Sequence, residues 1–210
     1  MDVMMMRNTE IELKLLISKD EVEKMLQLDF IEAALRVPCG KRRHLISAYY
    51  DTEDFKFTKY GIAYRVRDKG DGNYEATVKT FGKREGALSE RKEYNLPVLE
   101  FKPKLEGFAA LGLGLELNSL APQGVRLLFV VDVERVTYIL DYHGAVIELA
   151  VDQGKIVGNN KVDYINEVEM ELISGDKKTL LELKESLASK IQIKAEERSK
   201  FSRGLALLER

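Results

Sequence analysis

The chain has 210 residues, 45% of them hydrophobic, enough for one sizeable core and short for two full domains. Its 33 basic residues nearly cancel 35 acidic ones, leaving a formal net charge of -2. No global basic field is available for nucleic acid, so any anion site must concentrate positive charge in a lined cleft. A single cysteine, Cys39, excludes an intramolecular disulfide and a thiolate metal knuckle, and no apolar run approaches the roughly 18 residues of a membrane span. A cytoplasmic protein without a membrane or nucleic-acid partner is expected.

Along the chain, residues 9–17 alternate, with Ile11, Leu13 and Leu15 on one face and Glu10, Glu12 and Lys14 on the other, the period of a half-buried strand. Ser18 followed by Glu21 is a capping box opening a helix through Leu28, striped by Val22, Met25 and Leu26. A strand is expected over 44–51, then a helical turn over 52–60 stopped by Gly61. Strands at 62–68 and 73–80 flank the turn Lys69-Gly70-Asp71-Gly72 as a hairpin. Another strand covers 89–96. The stretch 97–124 holds three of the four prolines and reads as an irregular or partly helical excursion rather than a linker. Runs at 126–142 and 145–152 form a second hairpin about His143-Gly144, and Gly154 and Gly158 mark turns before a strand at 164–173. Segments 176–191 and 195–208 both show helical spacing of apolar residues. The expected fold class is α+β, mainly antiparallel β, a barrel or sandwich closed by helices. It forms one domain over 1–210, with strands and insertions in 9–173 and helices over 176–208.

On these strands, charged residues recur at i and i+2: Glu10, Glu12, Lys14; Arg65, Arg67; Glu75, Lys79; Arg91, Glu93; Glu148, Asp152; and Glu167, Glu169, Glu171. A solvated sheet face would account for any one of them. Arginine doublets on one strand and glutamate triplets on another are segregated, and segregated charge suggests a ligand. Carboxylate groups favour a hard divalent cation that also meets phosphate oxygens, and paired guanidinium groups suit phosphates. Metal and polyphosphate together explain both signs.

The runs EIELK (Glu10 to Lys14), YYDT at 49–52, YRVR at 64–67, TVK ending at Lys79, RKEYN at 91–95, DVER ending at Arg135, IELAVDQG at 147–154, EVEMEL at 167–172 and SK at 199–200 resemble, in order, the CYTH superfamily of triphosphate tunnel metalloenzymes. EIELK alone is a weak signal; nine runs in order are strong. RKEYN, DQG and EVEMEL are most similar to bacterial inorganic triphosphatases. Those relatives often carry an appended histidine-rich helical domain; with only His44 and His143, this sequence contains none of it.

The resemblance implies a closed eight-stranded β-barrel and metal-dependent hydrolysis of inorganic triphosphate, with nucleoside triphosphates as poorer substrates. It assigns Mg²⁺ or Mn²⁺ to Glu10, Glu12, Glu93, Glu169 and Glu171. It assigns the triphosphate to Lys14, Arg65, Arg67, Lys79, Arg91, Arg135, Lys200 and Arg203. The implied catalytic set is Glu10, Glu12, Lys14, Glu93 and Asp152, with a small-molecule triphosphate as partner and a homodimer as one option for assembly. Class IV adenylate cyclase and thiamine triphosphatase are the enzymatic alternatives, and a non-catalytic polyphosphate-binding module is the alternative of another class.

Overall fold

The computed structural model describes residues 9–111, 113 and 117–209. In chain order its elements are β1 (Thr9–Ile17), α1 (Lys19–Leu26), α2 (Asp29–Ala34), β2 (Lys41–Asp51), α3 (Lys56–Lys59), β3 (Ile62–Asp68), β4 (Tyr74–Thr80), β5 (Lys83–Glu85), β6 (Leu88–Val98), α4 (Leu117–Leu120), β7 (Arg126–Tyr142), β8 (Ala145–Gly158), β9 (Lys161–Ser174), α5 (Lys178–Ala188), β10 (Ile193–Ala195) and α6 (Lys200–Leu208). Eight antiparallel strands close in the order β1-β9-β8-β7-β2-β3-β4-β6, with β6 returning to β1 from Thr9↔Lys92 to Leu13↔Leu88. The expected closed eight-stranded barrel is present. The two short strands extend its wall: β10 pairs with β1 at Leu15–Ile17, beyond the β6 pairing, and β5 pairs with β6 at Leu88–Glu90, beyond the β4 pairing.

Alternation gives each strand an apolar outer face. Leu13 and Leu15 of β1, Met170 of β9 and Leu149 of β8 are covered by Met25, Ile31, Leu180, Leu183 and Leu187 from α1, α2 and α5. Each such fully buried side chain contributes roughly 1.5–3 kcal/mol. On the opposite flank Tyr64, Val66, Val78 and Tyr94 pack beneath Phe57, Phe108 and Leu117. From the excursion, Phe108 and Leu117 therefore cover this flank of the barrel, and Tyr64 holds the segment at Lys104, its hydroxyl donating to the Lys104 carbonyl at 2.9 Å and accepting its N–H at 2.7 Å. No helix among the described residues is long and apolar enough to cross a membrane.

The local signals behave as expected in part. Ser18 Oγ accepts the Glu21 N–H at 3.2 Å, but the Glu21 carboxylate accepts from Lys24 and from the Gln192 N–H at 2.7 Å, so it ties α1 to the chain after α5. The 52–60 turn is organised by Asp51, whose buried carboxylate accepts the N–H groups of Thr52, Phe57 and Thr58. Three expectations are corrected. Gly154 is not in a turn: β8 runs through it, and a Cβ there would stand 2.1 Å from the Asp132 carbonyl, so glycine permits close strand approach. Strand β9 starts at Lys161, three residues early. The helix expected over 195–208 begins only at Lys200, because the free edge of β1 recruits Ile193–Ala195 into β10 and Ser199 then caps α6, accepting the Ser202 N–H at 3.0 Å.

Candidate active site

The inner faces of the strands surround a cavity of about 500 Å³. Glu10, Glu12, Lys14, Arg65, Arg67, Lys79, Arg91, Glu93, Arg135, Glu169, Glu171 and Lys200 all line it. Register explains the convergence: Glu12 faces Glu171 and Lys14 faces Glu169 between β1 and β9, Glu10 faces Arg91 between β1 and β6, and Lys79 faces Glu93 between β4 and β6. One end of the barrel is shut by an apolar cluster in which Phe129, Val131, Val133 and Tyr49 pack with Phe201 of α6. Ser199, Lys200, Phe201 and Ser202, the start of that helix, line the cavity floor.

Two knots of paired charge occupy the walls. In the first, Lys79 Nζ donates to Glu10 at 2.7 Å and lies 2.5 Å from Glu93, while Arg91 donates to Glu10 at 2.8 Å and Glu12 at 2.7 Å. Burial acts to raise the Glu93 carboxyl, but Lys79 and Arg65 prevail and hold it well below the usual carboxylate range. In the second, Arg135 donates to Asp152 at 2.6 Å and Glu169 at 2.5 Å, and Lys200 lies against Asp152, Glu167 and Glu169. Burial also opposes ionisation of Asp152, yet Lys200 and Arg135 bring it down to about 2. Asp152 is fully buried behind the lining and touches the cavity only through these two cations.

Four further lining residues are matched less fully. Arg65 reaches Glu93 only at 3.9 Å and its buried Nε has no hydrogen-bond partner. Arg67 donates to Ser47 Oγ at 2.8 Å and has no ion pair among the described residues; burial, then Arg65 and Arg135, push it down to about 9. Across the cavity Glu148 and Glu171 face each other between β8 and β9, with no ion pair or hydrogen bond among the described residues. Burial, followed by the negative charge of Glu10 among its neighbours, pushes Glu171 up to about 8. The wall thus sets two arginines with little acid around them opposite two carboxyl groups that have no partner among the described residues.

These open carboxylates, with Glu10 and Glu12 beside them, fit a hard divalent cation, because a bound cation removes their mutual repulsion. A tighter group exists at Asp152, Glu167 and Glu169, whose oxygens lie within 4.8 Å of one another. Arg135, Lys200 and Arg203 already saturate it, so it serves as a salt-bridge knot. Arg203 does not line the cavity: it donates to Asp163 at 2.8 Å, Glu167 at 3.0 Å and the Tyr164 carbonyl at 2.7 Å, fastening α6 to β9. The sequence reading expected it at the triphosphate; the contacts observed here are those that fasten α6.

Several lining residues had no role in the sequence reading. Glu148 was visible in the alternation of β8, but one glutamate carries no sign of facing another. Tyr49 lies on β2, as does Ser47 behind Arg67, and the inner face of that strand carries no charge doublet. Phe81, between β4 and β5, and Lys83 and Arg84, in the three-residue β5, line the rim from a segment too short for a periodic pattern.

The fold and site define a closed antiparallel barrel with a hydrophilic interior of both signs. Residues 8–205 match the CYTH domain, and the chain belongs to that family. It is 32% identical over 198 residues, 94% of its length, to an inorganic triphosphatase of Haemophilus influenzae, and spans 54% of that curated relative, about half its length. Solved structures sharing the fold include a protein of Hippeastrum described with a dominant triphosphatase activity, at 18% identity and a TM-score of 0.59, covering 94% of this chain and 95% of that one. A protein of Pyrococcus horikoshii OT3 aligns at 20% identity and a TM-score of 0.58, covering 94% and 98%.

Proposed function

We propose that this chain hydrolyses triphosphate in the barrel, with inorganic triphosphate as the main substrate and nucleoside triphosphates as poorer ones. The observation that carries this reading is that Arg65, which reaches Glu93 only at 3.9 Å, and Arg67, which has no ion pair among the described residues, face Glu148 and Glu171, which have none either, across one cavity. A chain of phosphates with a cation neutralises both pairs at once. The resemblance to an inorganic triphosphatase of Haemophilus influenzae supports the same substrate.

In this mechanism Arg65 and Arg67 bind phosphate oxygens through guanidinium forks, while Lys14, Lys79, Arg91, Arg135 and Lys200 exchange part of their carboxylate contacts for substrate. Water attacks the terminal phosphorus in line, the new P–O bond forms, the bridging P–O bond breaks, and phosphate and diphosphate leave with one proton released to solvent. The transition state is loose, so positioning and charge neutralisation supply most of the acceleration. Glu10, Glu12, Glu148 and Glu171, with Glu93 and Glu169 adjacent, would hold Mg²⁺ or Mn²⁺. Such a cation would supply Lewis acidity toward phosphate oxygens and offset their charge. Asp152 is a positioning residue: it holds Arg135 and Lys200 in the wall.

The test is phosphate release from inorganic triphosphate, ATP and thiamine triphosphate, with and without Mg²⁺ or Mn²⁺, with cyclic AMP measured in parallel. Metal-dependent phosphate release, fastest from inorganic triphosphate, is expected. Cyclic AMP as the main product from ATP would overturn the hydrolase reading, and binding of all three without turnover would leave a binding module.

A further inference from the structure

The open rim of the cavity includes Phe81, Lys83 and Arg84. Three aromatic residues line the cavity, and two of them are already committed: Tyr49 stacks on Phe129 at 4.8 Å and 22°, and Phe201 packs against both at 5.7 and 6.0 Å. Phe81 has no ring partner among the described residues, belongs to none of the three apolar clusters, and is 66% exposed.

The ring is nevertheless well supported. The Phe81 N–H donates to the Gly61 carbonyl at 2.7 Å. A Cβ built on Gly61 would stand 3.3 Å from Cγ and Cδ2 of Phe81, so the ring lies close over the glycine while most of the residue stays exposed. The next residue, Gly82, is pressed onto β6, where a Cβ would stand 2.0 Å from the Glu90 carbonyl. Arg84 donates to the Glu197 carbonyl, joining this bend to the chain ahead of α6. A backed aromatic face beside two cations, at the mouth of a charged cavity, suits a flat π-system attached to an anion. The interior does not: its walls are charged, and a purine there would bury an apolar face among unsatisfied ions.

We propose that this rim is a base-stacking subsite, at which a nucleoside triphosphate with its phosphates in the barrel lays its base on Phe81, next to Lys83 and Arg84. This rests on the reading of the barrel as a triphosphate site. The test compares wild type, Phe81→Ala and Phe81→Tyr by calorimetric binding of ATP and of inorganic triphosphate in metal-free buffer, and by kcat/KM for both with Mg²⁺. The ratio of ATP to triphosphate affinity should fall about tenfold in Phe81→Ala and return in Phe81→Tyr. An equal loss for both ligands, an unchanged ratio, or no binding of ATP to wild type overturns the subsite. Phe81-sensitive ATP binding without turnover of either compound keeps the subsite and removes the hydrolase reading instead.

Discussion

Ser47 is the hydrogen-bond partner that aims Arg67, a half-buried guanidinium on which burial and the neighbouring Arg65 and Arg135 outweigh the nearby Asp152. Ser47→Ala should lower kcat/KM for triphosphate about tenfold, the cost of losing a hydrogen bond to a charged group, mainly through KM. Ser47→Thr keeps the hydroxyl and should restore most of it; equal kinetics in Ser47→Ala and wild type would show that Arg67 needs no guide. A second residue-scale case is His44, whose Nε2 lies 2.7 Å from Asp132 Oδ1 at the β2–β7 seam. That bond raises its pKa above 6.5, so the pair's contribution is full below about 6.5 and is lost as pH rises through the raised value. NMR titration should place the His44 midpoint above that of a free histidine, and Asp132→Asn should bring it back.

At the scale of elements, α6 is where strand and helix chemistry meet. Arg203 is 3% exposed and spans Asp163, Glu167 and the Tyr164 carbonyl, so Arg203→Met leaves Glu167 with less compensation for its burial. The expected loss is about 3 kcal/mol in urea denaturation. Gly204→Ala reverses ordinary helix propensity, because the added Cβ would fall 2.2 Å from the Phe129 ring. In place of the usual gain of roughly 0.5–1 kcal/mol, a loss of about 1–3 kcal/mol is expected, and a rise in Tm would show that α6 can shift on the cluster. The same region shows where local pattern runs out. Residues 195–208 have helical spacing throughout, but an unpaired edge of β1 withdraws the first of them into a strand. Edge pairing between residues some 180 positions apart is not encoded in a local window.

For the whole molecule, the expected signature is ligand-linked stability. Without substrate, Arg65 and Arg67 stand two residues apart on one face of β3, and Glu148 stands opposite Glu171, whose carboxyl is pushed up to about 8. Triphosphate with Mg²⁺ at about 100 times Kd should add about 2.7 kcal/mol, raising Tm by roughly 5–10 °C for a chain of this size. Differential scanning fluorimetry with EDTA, Mg²⁺ alone and Mg²⁺ with triphosphate reads this directly. No shift with either addition would argue against the unsatisfied pairs as a ligand site.

Alternation of charge and apolar residues determined, from the sequence alone, that strands such as β1, β3 and β9 would carry one ionic and one apolar face, and the ordered motifs determined the closed barrel. Periodicity is local, and each strand reports it without help from the others. Which charges are satisfied was decided by tertiary structure, since that depends on register and shear around a closed sheet. Asp152 and Arg203 read as site residues in the linear sequence, and it is closure that sets Asp152 against Arg135 and Arg203 against Glu167. Glu148 becomes part of an open pair only because β8 and β9 meet at Glu148↔Glu171.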